Sequence, residues 1–390
     1  MPSGTPLQVG RRIAATRHSR RMTQADLARA AFISLATVKA IERGARAPSD
    51  TTLDSIAAAL TVDPTHLVTG YTGTERRVHA VLPELSAVLA AYDVPLDPPS
   101  RSAEELRAAV TEAVSWRLAA QYARVAQHIA PLLQDSLYHL HSSPAPDAAR
   151  LVVAAARTAD AVACKYGAHD LSARLIDLMR WAAEQSDDAL LSASVAYVRT
   201  ETFFVARAHR AGLRALESAV DMAPQPVCAR SGAARGALHM RAAVIAGRAG
   251  EASAADTHLS HARALGDEVR EDIYGGTAFG PDSVRIHEVS VAVSLGGEYV
   301  SRALDVAREW KPSLAIPAER RSGFYIELAR AQLWSGLAGD AFESLKVARS
   351  VAPQHTREHP WAKEDTATLR RLKRADADSL TNFAEWIGAI

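Results

Sequence analysis

Apolar residues near the start of the chain recur at three- and four-residue intervals, broken by short polar turns. That spacing predicts helices, each with one buried face. Residues 7–19 form the first, with Val9 and Ile13 inward. Residues 24–31 form the second, burying Leu27 and Ala28. A third follows Ser34, whose hydroxyl can accept from a free N–H of the first turn. Its inward positions are Val38 and Ile41, which leaves Leu35, Ala36, Lys39, Ala40 and Arg43 on the outer face. Ser49 caps a fourth helix carrying Leu53, Ile56, Ala57 and Leu60. Asp63-Pro64 opens a last turn reaching Leu67, since Asp caps and Pro suits a first helical position. The first domain is expected to span residues 1–70, followed by a linker over 71–74 and a connecting helix, up to residue 102.

From Arg76 onward no strand-rich pattern occurs. Helical segments are predicted over 78–91, 103–141, 147–166, 168–185 and 187–207, with more pairs to the C-terminus. The clearest loops are Val94-Pro95-Leu96-Asp97-Pro98-Pro99 and residues 142–147, and Pro131 is expected to kink or split the longest segment. Turns beginning Gly167-Ala168, Ala208-His209, Gly250-Glu251, Gly297-Glu298 and Gly339-Asp340 recur about every 42 residues, each leading into an Ala-rich helix. Residues 103–390 are therefore similar to a degenerate tetratricopeptide array, one helical hairpin per repeat. A non-repetitive helical bundle is the alternative. The fold class expected for the whole chain is all-α.

Over 390 residues the net charge is only +1, but its distribution is uneven. Residues 1–50 hold nine basic and three acidic side chains, a net +6, so the remainder is slightly acidic. A basic N-terminal module on a near-neutral body fits DNA binding better than uniform basicity would. The two cysteines, Cys164 and Cys228, lie far apart with no metal-ligand spacing, and are expected to be buried, reduced thiols. No run of about 20 apolar residues is free of charge, so a soluble, cytoplasmic protein without membrane contact is expected.

The segment Thr23–Gly44 organises the first domain. Two helices crossing over a three- or four-residue turn, the second presented outward, is the arrangement that puts a helix into the DNA major groove. Ile13 and Arg17, then Thr23-Gln24, Leu27-Ala28, Glu42-Arg43-Gly44, Pro48, Leu53, Leu60 and Leu67 resemble the Cro-repressor-like (xenobiotic-response-element) helix-turn-helix family. The resemblance implies a five-helix, lambda-repressor-like DNA-binding domain. It also implies that Gln24 bonds a phosphate, that Arg17 and Glu42 form a structural ion pair, and that Arg43 and Arg46 sit near the DNA backbone. Thr23, Ser34 and Thr37 complete the DNA-facing set. Leu35, Ala36 and Ala40 stand where family members often carry polar base-reading residues. Apolar side chains can touch a thymine methyl but make no bidentate bonds to purine edges. Modest specificity is therefore expected, with Lys39, Thr37 and DNA shape contributing the rest. Phe32 stands where the family usually has Gly. A bulky residue at positive φ costs about 1–2 kcal/mol, so either the turn differs or Phe32 packs, and an ordinary core aromatic is expected.

The stretch Phe279-Gly280-Pro281-Asp282, with Val284, His287, Val289 and Val291, resembles regulators of the actinobacterial type that join such a domain to tetratricopeptide-like repeats. That resemblance implies double-stranded DNA as partner, a homodimer, and repeats that dimerise or receive a small-molecule, peptide or protein signal. Gly275-Gly276-Thr277 reads as a flexible bend and no phosphate loop, because no Gly-Lys-Ser/Thr follows. His258 and His261, and His139 and His141, lack partners at metal spacing, and no nucleophile elbow or paired catalytic acids occur. No cofactor and no catalysis are expected. Trp181, Phe203, Phe204, Tyr274, Tyr299, Trp310, Phe324, Tyr325 and Trp334 could line a groove, although such stripes more often form core. The reading is a transcriptional regulator; the alternative is an interaction adaptor whose first domain tethers DNA weakly.

Overall fold

The computed structural model describes residues 5–62, 64–69, 73–94, 98–99, 101–372 and 377–389. The expected Asp63 cap, Gly70 at the end of the first domain, the linker residues 71–72 and the loop residues 95–97 lie outside them. Contacts divide the chain into two compact units, residues 1–77 with 366–390 and residues 78–365. The fold is all-α apart from one small hairpin among the described residues.

Five helices make up the N-terminal part: α1 (Pro6–Ser19), α2 (Gln24–Ala30), α3 (Leu35–Glu42), α4 (Asp50–Ala59) and α5 (Pro64–Thr69). Thr5, Thr23, Ser34 and Ser49 each cap the following helix through the side-chain oxygen. The apolar stripes meet in one core of Val9, Ile13, Leu27, Ala28, Val38, Ile41, Leu53, Ile56, Leu60 and Leu67. Fully burying each aliphatic side chain contributes about 1.5–3 kcal/mol. The Arg12 guanidinium donates to the Val68 carbonyl at 2.5 Å, satisfying a free acceptor at the end of α5. Helix α1 approaches α3 closely at Gly10, where a Cβ would lie 2.1 Å from the Ile41 carbonyl oxygen.

Beyond it run α6 (Gly73–Ala90), α7 (Ala103–Leu118) and α8 (Tyr122–Ser142). Antiparallel pairs follow: α9 (Pro146–Lys165) with α10 (His169–Glu184), α11 (Ala189–Val205) with α12 (His209–Met222), and α13 (Ala229–Ala249) with α14 (Ala252–Glu268). After a hairpin of β1 (Asp272–Tyr274) and β2 (Thr277–Phe279) come α15 (Pro281–Leu295) with α16 (Val300–Glu309), and α17 (Ala318–Trp334) with α18 (Ala338–Val351). The chain ends in α19 (Pro353–Glu358), α20 (Pro360–Leu372) and α21 (Ala377–Ile387). First helices of successive pairs touch one another, α9 to α11, α11 to α13, α13 to α15 and α15 to α17, and so form one continuous inner layer. Contacts across long stretches of sequence close residues 78–365 on themselves. The Ala123 N–H donates to the Gln354 side-chain oxygen at 2.9 Å, Lys165 lies 3.4 Å from Glu319, and Arg320 donates to the Tyr197 hydroxyl at 2.5 Å.

Several expectations need correction. The single helix over 103–141 is two, and the break falls at Ala119–Gln121 while α8 continues through Pro131. Ala120 takes a left-handed conformation (φ 55°), and the Gln121 N–H closes onto the Trp116 carbonyl at 2.8 Å, so the stop is made by the backbone. Helix α6 begins at Gly73, inside the expected linker. Gly339 lies within α18; the turn there uses Gly336. Gly275 and Gly276 are not a flexible bend but the two-residue turn of the hairpin, both at positive φ (54° and 78°) as a tight primed turn requires. The cysteines are free, but Cys228 is exposed and Cys164 only partly buried. Phe324 is core and Trp334 half-exposed, while the other seven aromatics singled out are partly buried, six of them packed against a core cluster. No helix among the described residues is long and apolar enough to cross a membrane.

Candidate nucleic-acid interface

The interface is built from the turn between α2 and α3. Helix α2 ends where Phe32 enters the left-handed region (φ 56°) and the Ile33 N–H reaches back to the Ala28 carbonyl at 3.0 Å. Phe32 is 96 % exposed, so the core-aromatic reading is wrong. It bears the strain of a positive φ without burial to offset it. Ser34 then accepts from the Thr37 N–H at 3.0 Å, and the two hydroxyls lie 2.9 Å apart. Val38 and Ile41 are fully buried, which orients α3 so that Leu35, Ala36 and Lys39 are exposed and Thr37 and Ala40 half-covered.

The brace beneath α3 is electrostatic. Arg17 grips Glu42 in a two-pronged pair, Nε to Oε1 at 2.7 Å and Nη2 to Oε2 at 2.9 Å, and donates a third bond to the Met22 carbonyl at 2.8 Å. Both side chains are about 5 % exposed. Burial pushes the Glu42 carboxyl up, but hydrogen bonds from Arg17 and Gln24 outweigh it and hold the group below its usual range. Gln24 is accordingly engaged: its amide donates to Glu42 Oε2 at 2.7 Å. Thr23 is exposed and caps α2, its hydroxyl donating to Asp26 at 2.7 Å. Arg43 is exposed and folds back on the Lys39 carbonyl at 3.1 Å, while Arg46 is exposed in the following loop. The structure thus brings Ser34, Leu35, Ala36, Thr37, Lys39 and Ala40 together on or beside one outward helix face. It gives Arg17 and Glu42 to the scaffold, with Gln24 donating one amide N–H to Glu42.

Residues 8–68 match the sequence profile of a helix-turn-helix domain. That match covers the five helices and leaves the repeats unassigned. No curated protein matches the chain. Among solved structures, similarity extends to Bacillus thuringiensis PlcR in complex with the peptide PapR7 and DNA, at 15 % identity and TM-score 0.30, over 66 % of this chain and 94 % of that one. It extends also to apo ComR from S. thermophilus, at 13 % identity and TM-score 0.19, over 56 % of this chain and 94 % of that one. Apo ComR, the competence regulator of Streptococcus vestibularis, gives 14 % identity and TM-score 0.17, over 96 % and 99 %. None of the three superposes on this chain as a whole.

In the repeats, titratable groups are buried in ways their spacing conceals. His239 and His258 face each other with Nδ1 atoms 3.0 Å apart, and the ring of His261 lies 4.8 Å from that of His239. Burial, then His258 and His261, push His239 down to about 4. Among the described residues no group of three or more His, Cys, Asp or Glu could hold a metal ion. Asp160 is raised to about 7 by burial, against a hydrogen bond from Ser172, and Glu327 to about 7 by burial, against one from Ser290. Sequence reasoning missed both acids, since their neighbours arrive from other helices.

Proposed function

We propose that the chain is a DNA-binding transcriptional regulator in which residues 1–70 dock α3 into the major groove and the helical repeats receive a signal. The supporting observation is the outward face of α3. Lys39 is exposed there while the buried Arg17–Glu42 pair fixes the helix to α1. Thr37 and Lys39 are the groups that would reach base edges or phosphates, and Arg43 and Arg46 would neutralise backbone phosphates. A homodimer would place two such helices about one DNA turn apart on a pseudo-palindrome. An effector in the inner layer of the repeats would shift the population competent to bind.

The apolar Leu35, Ala36 and Ala40 favour a second reading, an adaptor whose DNA contact is weak and little specific. Selection of DNA fragments from a random pool by the full chain separates the two. A palindromic motif weakened in Lys39→Ala and Arg46→Ala supports the regulator. Binding that selects no motif and merely tracks salt supports the adaptor.

A further inference from the structure

Two arginines inside the repeat unit are buried without a hydrogen-bonded acidic partner. Arg117 on α7 is 7 % exposed and Arg157 on α9 is 8 % exposed. Arg157 donates from Nη1 to the Gly275 carbonyl at 2.8 Å and to the Ser194 hydroxyl at 3.2 Å, and from Nη2 to the Thr277 hydroxyl at 2.8 Å. Arg117 donates from Nη2 to the Gly276 carbonyl at 2.9 Å, and its buried Nε has no partner. Every acceptor is neutral. The acids nearby bond other groups: Glu319 lies with Lys165, Glu201 pairs Arg241, and Asp160 accepts from Ser172, so Glu319 and Asp160 offset the Arg117 charge only from a distance. More positive charge stands behind them. Arg157, Arg241 and Arg320 all lie over the Tyr197 ring, at 5.7, 4.6 and 5.9 Å. Burial and the neighbouring Arg117 push the Arg157 guanidinium down to about 9.

A carbonyl accepts from a buried guanidinium but brings no countercharge, whereas a carboxylate or phosphate oxyanion cancels the charge and takes two parallel N–H bonds. Both guanidiniums converge on one spot. A Cβ on Gly276 would lie 3.2 Å from Arg117 Nη2 and 3.2 Å from Arg157 Nη1. The hairpin tip fills that spot. We infer that Arg117 and Arg157 form a binding site for the oxyanion of a small organic ligand, a carboxylate or phosphate group, which the Gly275–Gly276 tip occupies by its carbonyls until the ligand displaces it. The site names the chemistry of the effector invoked above and rests on that reading.

The test uses the full chain, melted in succinate, citrate or inorganic phosphate, with chloride balancing ionic strength. The expected result is a saturable rise in melting temperature with at least one of these oxyanions. A response to succinate or citrate alone identifies a carboxylate site, and one to phosphate alone a phosphate site. Arg157→Met is expected to raise the half-saturating concentration at least tenfold. Gly276→Ala crowds both arginines and strains a left-handed turn, so it weakens the competing tip and is expected to lower that concentration severalfold. No saturable response in the wild type overturns the inference, as does a response that Arg157→Met leaves intact. If Arg157→Met fails to fold, an unchanged or higher half-saturating concentration in Gly276→Ala overturns it. DNA binding measured on the same samples separates the outcomes: intact DNA binding without an oxyanion response removes this site and leaves the regulator standing.

Discussion

Replacing Gly10 by alanine tests the packing that presents α3. The new Cβ would stand 2.1 Å from the Ile41 carbonyl oxygen and 3.0 Å from that of Glu42, whereas ordinary contact begins at 3.4 Å. Those acceptors are backbone, so no rotamer change relieves the clash and α1 must retreat by roughly 1 Å. Overpacking of this kind costs about 1–3 kcal/mol, and a rigid helix against a rigid carbonyl belongs at the upper end. Alanine returns about 1 kcal/mol of helix propensity. The retreat also pulls Arg17 away from Glu42, whose 2.7 Å bond depends on the α1–α3 spacing. A net loss of about 2–3 kcal/mol follows, roughly a 30- to 150-fold fall in protection where exchange needs local unfolding. Hydrogen exchange on the full chain should show that fall in α1–α5, with α9–α18 unchanged. Exchange in α1–α5 as slow as in the wild type would refute the reasoning.

Phe32→Gly relieves a positive φ and forfeits no burial, so a melting temperature equal to or above the wild type is expected, and a fall of several degrees would contradict it. Arg17→Met leaves a buried carboxylate with only the Gln24 amide and should destabilise the first domain by about 3–5 kcal/mol in denaturant titrations; a loss below about 1 kcal/mol would show that the pair is dispensable. Acidification should also destabilise the repeats. His239 (about 4), His287 (about 3), and His258, His355 and His359 (lowered) are held below the unfolded value by burial. Stability from these five is therefore present above about 6.5 and lost as pH falls through that value toward 3. Asp160 and Glu327, raised to about 7, and Glu271 and Asp365, also raised by burial, act oppositely, with stability present below about 4 and lost as pH rises. The five histidines outnumber the four raised acids, so denaturation midpoints should drop between pH 7 and 5. His287→Gln should flatten that dependence, and an unchanged slope would count against the assignment.

The first domain was legible because its signals are local. Ser34 and Ser49 cap within three residues, and Val38 and Ile41 mark the buried face without knowledge of anything distant. What stayed hidden depends on partners far along the chain or on backbone conformation. Gln24 has the right place for a phosphate contact, and only the approach of Glu42 reveals that one of its two amide N–H groups is engaged. Phe32 looks like core until the turn turns it outward. Three-residue strands are too short to show alternation, so the Gly275–Gly276 hairpin passed as a bend. Arg117 and Arg157 meet the hairpin tip across 159 and 118 residues, a separation at which no spacing rule operates.

The bond between Ala123 and Gln354, spanning 231 residues, bears on how the repeats fold. An open solenoid contacts only its neighbours, so it can nucleate anywhere, grow in either direction and lose an end unit cheaply. Here the first and last hairpins need each other, and the contacts that join them form only after a long loop has closed. The array should therefore fold more slowly than an open solenoid of the same helices, and unfold as one cooperative block without fraying from an end. Its repeat number is correspondingly fixed: inserting or deleting one hairpin would break the joint, which leaves substitution within the existing hairpins as the route by which such a chain can change.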